Sequence, residues 1–407
     1  MEQLRNRIEE IVKYTLNSHI NQTLGFDLSL SKEFCSNLLR ADPNDTVSLP
    51  PNSTSGSFEG VPEYPLFRRL GSALYQCIIS RSFCKTYDTI EFINEDNSLK
   101  QKEEQWNKLI LEKGSELMNV LMATFHELHV QEPFFSLLKD GLKTIEGRCA
   151  DDNYSRIEPG ALLLINKSVV LEVKDVRRYP SFLKMLEAES LSKVLPGVKT
   201  IEEGVEVYRK FYTEEKEMSN GVLAICVSKS PYQPYLSLAR MLSGLGYTGI
   251  QSLLGIAHTV GTISDALPPS RSTLLSSFTL PYRPNVKGSA LTHGARALAK
   301  HSERCSIKYW GILDGSNSNK NMLALNVINR LIASCRWSNV HIVPQHGAVF
   351  EIRVADGYGA RWSEDGTQNF RSVEAKRKQE NKKRRYEQVR NLFRKTLKTQ
   401  MLQELGC

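Results

Sequence analysis

Gly141-Leu142-Lys143-Thr144-Ile145-Glu146-Gly147-Arg148 (GLKTIEGR) decides how the middle of this 407-residue chain is read. The apolar run Pro133-Phe134-Phe135-Ser136-Leu137-Leu138 leads into it, and a polar stretch, Asp151-Asp152-Asn153-Tyr154-Ser155, follows. Beyond lie Ile157-Glu158-Pro159-Gly160 and the strand-like Ala161-Leu162-Leu163-Leu164-Ile165. Side chains alternate along a strand, so Glu146 and Arg148 share a face and Lys143 joins them only through a turn. As a bare surface ion pair these residues would contribute only ~0–1 kcal/mol. Facing one cleft, they make a donor-rich site for a phosphate or a base edge. Arginine holds phosphate with a bidentate fork, lysine acts as a point charge, and glutamate accepts from an exocyclic amine. A carboxylate between two cations stays ionised, which suits an anchor or a base-edge acceptor better than a general acid.

The pattern P-x-x-S-L-L-x-x-G-x-K-x-x-E-G-R, continued through Pro159-Gly160 and the strand at Gly221–Val227, resembles the ASCH domain, the module named for homology to activating signal cointegrator 1. The resemblance implies a small β-barrel related to the PUA fold that binds RNA or single-stranded nucleic acid, in RNA metabolism or transcriptional co-regulation. Some relatives in the wider family are amidohydrolases on acetylated cytidine, with a signature like G-x-K-T-x-T-x-R. Gly141, Lys143, Thr144 and Arg148 match it, but Glu146 stands where the nucleophilic threonine would be. A carboxylate does not replace a hydroxyl activated by a neighbouring lysine. The distal glutamate of that signature could fall at Glu187 or Glu189. A hydrolase on modified nucleosides or a ribonuclease is therefore the alternative reading, and no catalytic residue is assigned.

Charge sharpens this. The formal net charge is +8, but residues 371–407 hold twelve Lys/Arg against four Glu, which is all of it; the rest has 41 residues of each sign. Residues 133–229 carry 15 of each, so no general excess drives phosphate binding there, and a local cluster must do it. The eight cysteines (35, 77, 84, 149, 226, 305, 335 and 407) form no C-x-x-C pair, so they read as buried thiols of a reducing compartment. No metal site and no cofactor are signalled. The N-terminus reads as an amphipathic helix rather than a targeting peptide, and no apolar run approaches the ~20 residues that span a bilayer. The expected location is nucleus, cytoplasm or both.

The fold class expected is α+β: a helical N-terminal region, an ASCH-type barrel, a small α/β module and a basic helical or disordered tail. Residues 1–130 read as helical, with Leu4, Ile8, Ile11, Val12, Leu16 and Ile20 on one stripe and a Pro-rich loop at 42–65. A long last helix there carries Trp106, Ile110, Leu117, Leu121, Phe125 and Leu128. Residues 131–229 are the ASCH segment, with a helical insert from Phe182 to Tyr212. Residues 230–285 read as a Gly/Pro-rich connector, 286–370 as the α/β module and 371–407 as the tail. The α/β module resembles one that follows ASCH-type domains in plant proteins. Its helix near Met322 starts at Ser316-Asn317-Ser318-Asn319, strong N-cap chemistry, and Pro344-Gln345-His346-Gly347 joins two strands.

Other motifs carry less. Arg177, Arg178 and Tyr179 pair cations with an aromatic ring, as single-stranded RNA sites do. Gly244-Leu245-Gly246-Tyr247-Thr248-Gly249 fits G-x-G-x-x-G, but nothing before it establishes the strand that the fingerprint needs. His126-Glu127-Leu128-His129 reads as helix surface. His293, His301, His341 and His346, with Asp314, Arg353 and Arg361, could line a second polar cleft. The clusters Lys376-Arg377-Lys378 and Lys382-Lys383-Arg384-Arg385 resemble a nuclear-import signal. Expected partners are RNA and, through 1–130 or 286–370, other proteins; no membrane.

Overall fold

The computed structural model describes residues 2–42, 58–89, 98–151, 154–286, 290–302, 309–344 and 346–373. Helix α1 (Glu2–Ile20) buries Ile8, Ile11, Val12 and Leu16, the predicted stripe. α2 (Lys32–Leu39), α3 (Leu66–Ser80) and α4 (Ser98–Ala123) follow. α4 stops at Ala123, short of the predicted end: Phe125 is 84% exposed, and His126–Leu128 form strand β1 instead. Leu128 pairs in parallel with Ile165 of a distant strand, and Asn166 clamps the Val130 backbone through both amide atoms, each at 2.8 Å. That partner lies too far along the chain for helical periodicity to register it, so His126-Glu127-Leu128-His129 is strand and strand end, not helix surface.

The chain continues with α5 (Phe134–Lys139), β2 (Ile145–Cys149), β3 (Leu162–Ile165) and β4 (Val169–Tyr179). An insert then brings α6 (Phe182–Ala188), α7 (Leu191–Val194), α8 (Ile201–Arg209) and α9 (Glu214–Asn220) before β5 (Val222–Lys229). The five strands form one sheet in the order β1-β3-β4-β5-β2. Among the described residues its edges, β1 and β2, do not meet. The sheet is a curled half-barrel, more open than the small β-barrel expected. The outer side of β2 is occupied by the insert: Thr144 N–H donates to the Lys193 carbonyl, and α7 and α9 pack on β2. A core of Ile145, Cys149, Phe182, Met185, Val222 and Ala224 joins that side of the sheet to the insert.

The Gly-rich segment after β5 is not a connector. It forms α10 (Pro234–Leu253), with Leu238, Ala239, Met241 and Leu242 fully buried, and α11 (Arg271–Thr279). The glycines serve packing and a kink rather than disorder. A Cβ at Gly244 would lie 2.5 Å from Leu109 Cδ2, and Gly246, at φ +58°, breaks the helix direction. With no strand ahead of it, the G-x-G-x-x-G letters form no dinucleotide loop.

The remaining elements are α12 (His293–Ser302), α13 (Asn317–Ala333), β6 (Trp337–Val343), β7 (Gly347–Arg353), β8 (Gly359–Ser363) and β9 (Asn369–Val373). Ser316 caps α13 by accepting from Asn319 N–H. β6 to β9 make a four-stranded antiparallel meander. One face carries Val340, Phe350, Ile352, Ala360 and Trp362 into a core with α11, α12 and α13. β9 runs to Val373, so the folded part extends past the expected boundary at 370.

The chain forms two compact units: Met1–Ser36, Leu70–Phe83 and Glu104–Gly246; and Asn37–Arg69, Cys84–Glu103 and Tyr247–Cys407. The described elements up to Ala123 are all helices, as expected, and they are divided between the two units. In the second unit Val61 N–H donates to Ile332 O, and Arg271 Nε to Val61 O. No helix among the described residues is long and apolar enough to cross a membrane.

Candidate nucleic-acid interface

The motif is positioned by a helix end. α5 closes with Gly141 N–H donating to Leu138 O and Leu142 N–H to Leu137 O, with Gly141 at φ +76°. This Schellman turn needs a left-handed residue, which glycine supplies. It delivers Lys143 to the start of β2, where Glu146 and Arg148 then share a face of the strand.

The three charged side chains do converge. Lys143 Nζ lies 3.1 Å from Glu146 Oε2, and Arg148 Nη2 lies 2.9 Å from Glu146 Oε1. Lys143 is only 2% exposed, and its ammonium also donates to the carbonyls of Ile145 (2.7 Å) and Val194. All three N–H groups are therefore engaged. Burial pushes the Glu146 carboxyl upward, but Lys143 and Arg148 outweigh it and hold its pKa below the usual range. Arg148 also donates to His129 O at 2.6 Å and stands over the Tyr154 ring. A buried, paired charge cluster of this kind fixes geometry more than it adds stability.

The cluster floors a cavity of about 490 Å³ whose walls include Phe134, Tyr208, Phe211 and Tyr212, with His129 and Lys210 also lining it. Tyr208 stacks on Phe182 at 4.1 Å and rests on Gly147. Its hydroxyl is buried against the Gly147 backbone, and the buried Arg148 Nε has no hydrogen-bond partner. Phe211 is 53% exposed. The cavity thus combines aromatic surface, a fixed guanidinium and a buried polar atom without a partner, a combination that suits a flat, polar-edged ligand.

Of the second predicted group, only Arg178 shares the Arg148 face. Leu223 of β5 is the cross-strand partner of both, so Arg148 and Arg178 lie two strands apart, about 9–10 Å by sheet spacing. Arg177 and Tyr179 turn to the other face and meet Glu189, each at 2.8 Å. That pairing explains their polar character structurally. Neither Glu187 nor Glu189 lines the cavity; the carboxylates that do are Glu132 and Glu146. The aromatic wall at the end of α8 and just beyond it is not legible in the sequence, because it lies some sixty residues from the motif.

The second predicted cleft is brought together in part. His341 of β6, Arg353 of β7 and Arg361 of β8 surround Glu351 of β7, on the face of the meander opposite the core. Glu351 accepts from Arg353 Nε (2.7 Å) and Arg361 Nε (2.6 Å), and its Oε2 lies 3.1 Å from His341 Nε2. Burial raises the Glu351 pKa, but His341, Arg353 and Arg361 outweigh it and bring it to about 2. His293 packs against Tyr282 and Asp314 lies in the loop before α13, both away from this group; His346 is exposed, and the side chain of His301 is not described. Glu351 itself was missed. The signal was Glu351 and Arg353 two apart in an otherwise apolar strand. The import-signal clusters, Lys376–Lys378 and Lys382–Arg385, lie outside the described residues, and no metal-binding group occurs among the described ones.

The open sheet, closed on one side by a helical insert, carries the motif at the floor of the cavity. Residues 128–231 match the family model of the ASCH domain, and this segment is an ASCH domain. A solved structure titled hypothetical protein PH0355 is 46% identical, covering 26% of this chain and 97% of that one, with a TM-score of 0.25. The solution NMR structure of Protein PF0455 from Pyrococcus furiosus is also 46% identical, covering 26% and 98%, with a TM-score of 0.24. Residues 282–373 match a second family model, the CdiA C-terminal tRNase toxin domain. No curated protein matches the chain.

Proposed function

We propose that this protein binds RNA through its ASCH domain, holding an unpaired nucleotide in the cavity over Lys143, Glu146 and Arg148. The observation that carries the reading is the meeting of the motif with an aromatic wall inside a domain of RNA-binding class. Arg148, with Lys210 in the cavity wall and Arg178 further along the same sheet face, supplies phosphate contacts. Phe134 and Phe211 offer faces for a base, and the Tyr208 hydroxyl offers a hydrogen bond to its edge. Lys143 and Glu146 hold Arg148 in place and need not touch the ligand. The neutral charge balance of the domain means that binding rests on geometry rather than bulk attraction.

The test is binding of a labelled single-stranded RNA, followed by anisotropy. Arg148→Ala and Phe211→Ala each weaken binding about tenfold, the scale of one lost stacking or charged contact, with unchanged melting for the exposed Phe211. Affinity equal to wild type in both variants would falsify the reading.

A second reading is favoured by the match over 282–373: the C-terminal part cleaves RNA of the tRNA class, with the ASCH domain presenting the substrate.

A further inference from the structure

We infer that the face of the meander bearing His341, Glu351 and Arg361 is a metal-independent RNA-cleaving site. His341 serves as the base that activates a ribose 2′-hydroxyl, and Arg361 receives the phosphate. The inference rests on the second reading above and deepens it by placing the chemistry on named residues.

The four charged or titratable groups sit on three adjacent strands, on the face turned away from the apolar core. Evolution of a merely stable sheet does not require a glutamate that is 1% exposed at the centre of that face. Burying such a charge costs several kcal/mol before its partners offset it. The partners divide into two kinds. Arg353 is committed inward: Nε and Nη2 go to Glu351, and Nη1 donates to Gly357 O at 3.0 Å. Arg361 uses Nε for Glu351 while its side chain stays 28% exposed, which leaves a guanidinium edge at the surface. One carboxylate against two guanidiniums leaves Glu351, Arg353 and Arg361 together at +1, the sign a phosphodiester requires.

His341 is oriented as a base should be. Its Nε2 faces Glu351 Oε2 at 3.1 Å, so an ionised Glu351 fixes the proton on Nε2 and leaves the Nδ1 lone pair free to accept. Glu351 is then a positioning residue that also stabilises the imidazolium once formed. The strand is held in place beside it: Thr262 pairs with His341 as an isolated bridge, and Asn339, fully buried, is bonded to Thr259 and Thr262.

The step balances without a metal. The 2′-hydroxyl gives its proton to His341 Nδ1 as its oxygen bonds to the adjacent phosphorus. The bond from phosphorus to the 5′-oxygen breaks, and that oxygen takes a proton from water. His341 returns its proton to solvent. The products are a 2′,3′-cyclic phosphate and a 5′-hydroxyl.

The test uses the full chain on a tRNA transcript in EDTA, with the product ends identified. Wild type is expected to cleave and leave cyclic phosphate. His341→Ala lowers the rate about a hundred- to ten-thousandfold, the usual worth of a general base, and added imidazole restores part of it. Glu351→Gln lowers kcat with little change in KM, and Arg361→Ala raises KM. Melting curves accompany each variant, and rescue by imidazole separates a lost base from a lost fold. Absence of cleavage by wild type overturns the nuclease reading and this site together. Cleavage by His341→Ala at the wild-type rate, or products with a 3′-hydroxyl, overturns the site and leaves the nuclease reading standing.

Discussion

Lys143 and Glu351 show how much a single buried charge can depend on its neighbours. Lys143 has three acceptors around one ammonium, and Glu351 has two guanidiniums and an imidazole around one carboxylate. The Glu351 arrangement has a measurable consequence in acid. Its folded pKa of about 2 lies below the ~4.3 of an unfolded glutamate. The folded state therefore gains stability that is fully present above about pH 4.3 and is lost as the pH falls toward 2. The amount is about 3 kcal/mol at most. Urea unfolding followed between pH 6 and 2 should show that loss, and Glu351→Gln should flatten the curve. An unchanged slope in the variant would mean that Glu351 is not the group responsible.

At the scale of elements, β2 and α8 meet closely only because residue 147 is glycine. A Cβ there would lie 2.8 Å from both Met185 Cε and Tyr208 Cζ. The Tyr208 ring is stacked on Phe182 and cannot swing away. Gly147→Ala should therefore destabilise the protein by about 1–3 kcal/mol, as overpacking does, and should lower RNA affinity by displacing the Tyr208 wall. A melting temperature equal to wild type would show that the helix yields without cost. Elements also mark where reading a sequence succeeds. The turn at Gly141, the shared face of Glu146 and Arg148, the Ser316 cap and the β6–β7 hairpin are local, so residue order displays them. β1 was hidden because its partner, β3, lies some forty residues on. α10 was hidden because five glycines in 244–261 outweighed the apolar spacing of Leu238, Met241 and Leu242. The aromatic half of the cavity and the carboxylate at the centre of the second site arise from contacts between distant elements, which no local pattern displays.

At the scale of the molecule, the chain joins an ASCH domain to a C-terminal segment with the likeness of a tRNA-cleaving domain. RNA is the ligand that the proposed function gives to both. The formal charge of +8 does not bear on this, since it belongs to residues 371–407 and would attract any nucleic acid. Strand β9 extends to Val373, so a chain ended there keeps every described strand while losing most of the basic tail. In that shortened chain, crosslinking of bound single-stranded RNA with mapping of the linked peptides tests the central claim directly. The account predicts crosslinks to 129–134, 143–148 and 207–212, the segments that line the cavity. Crosslinks confined to other segments, or no RNA bound once the tail is gone, would contradict it.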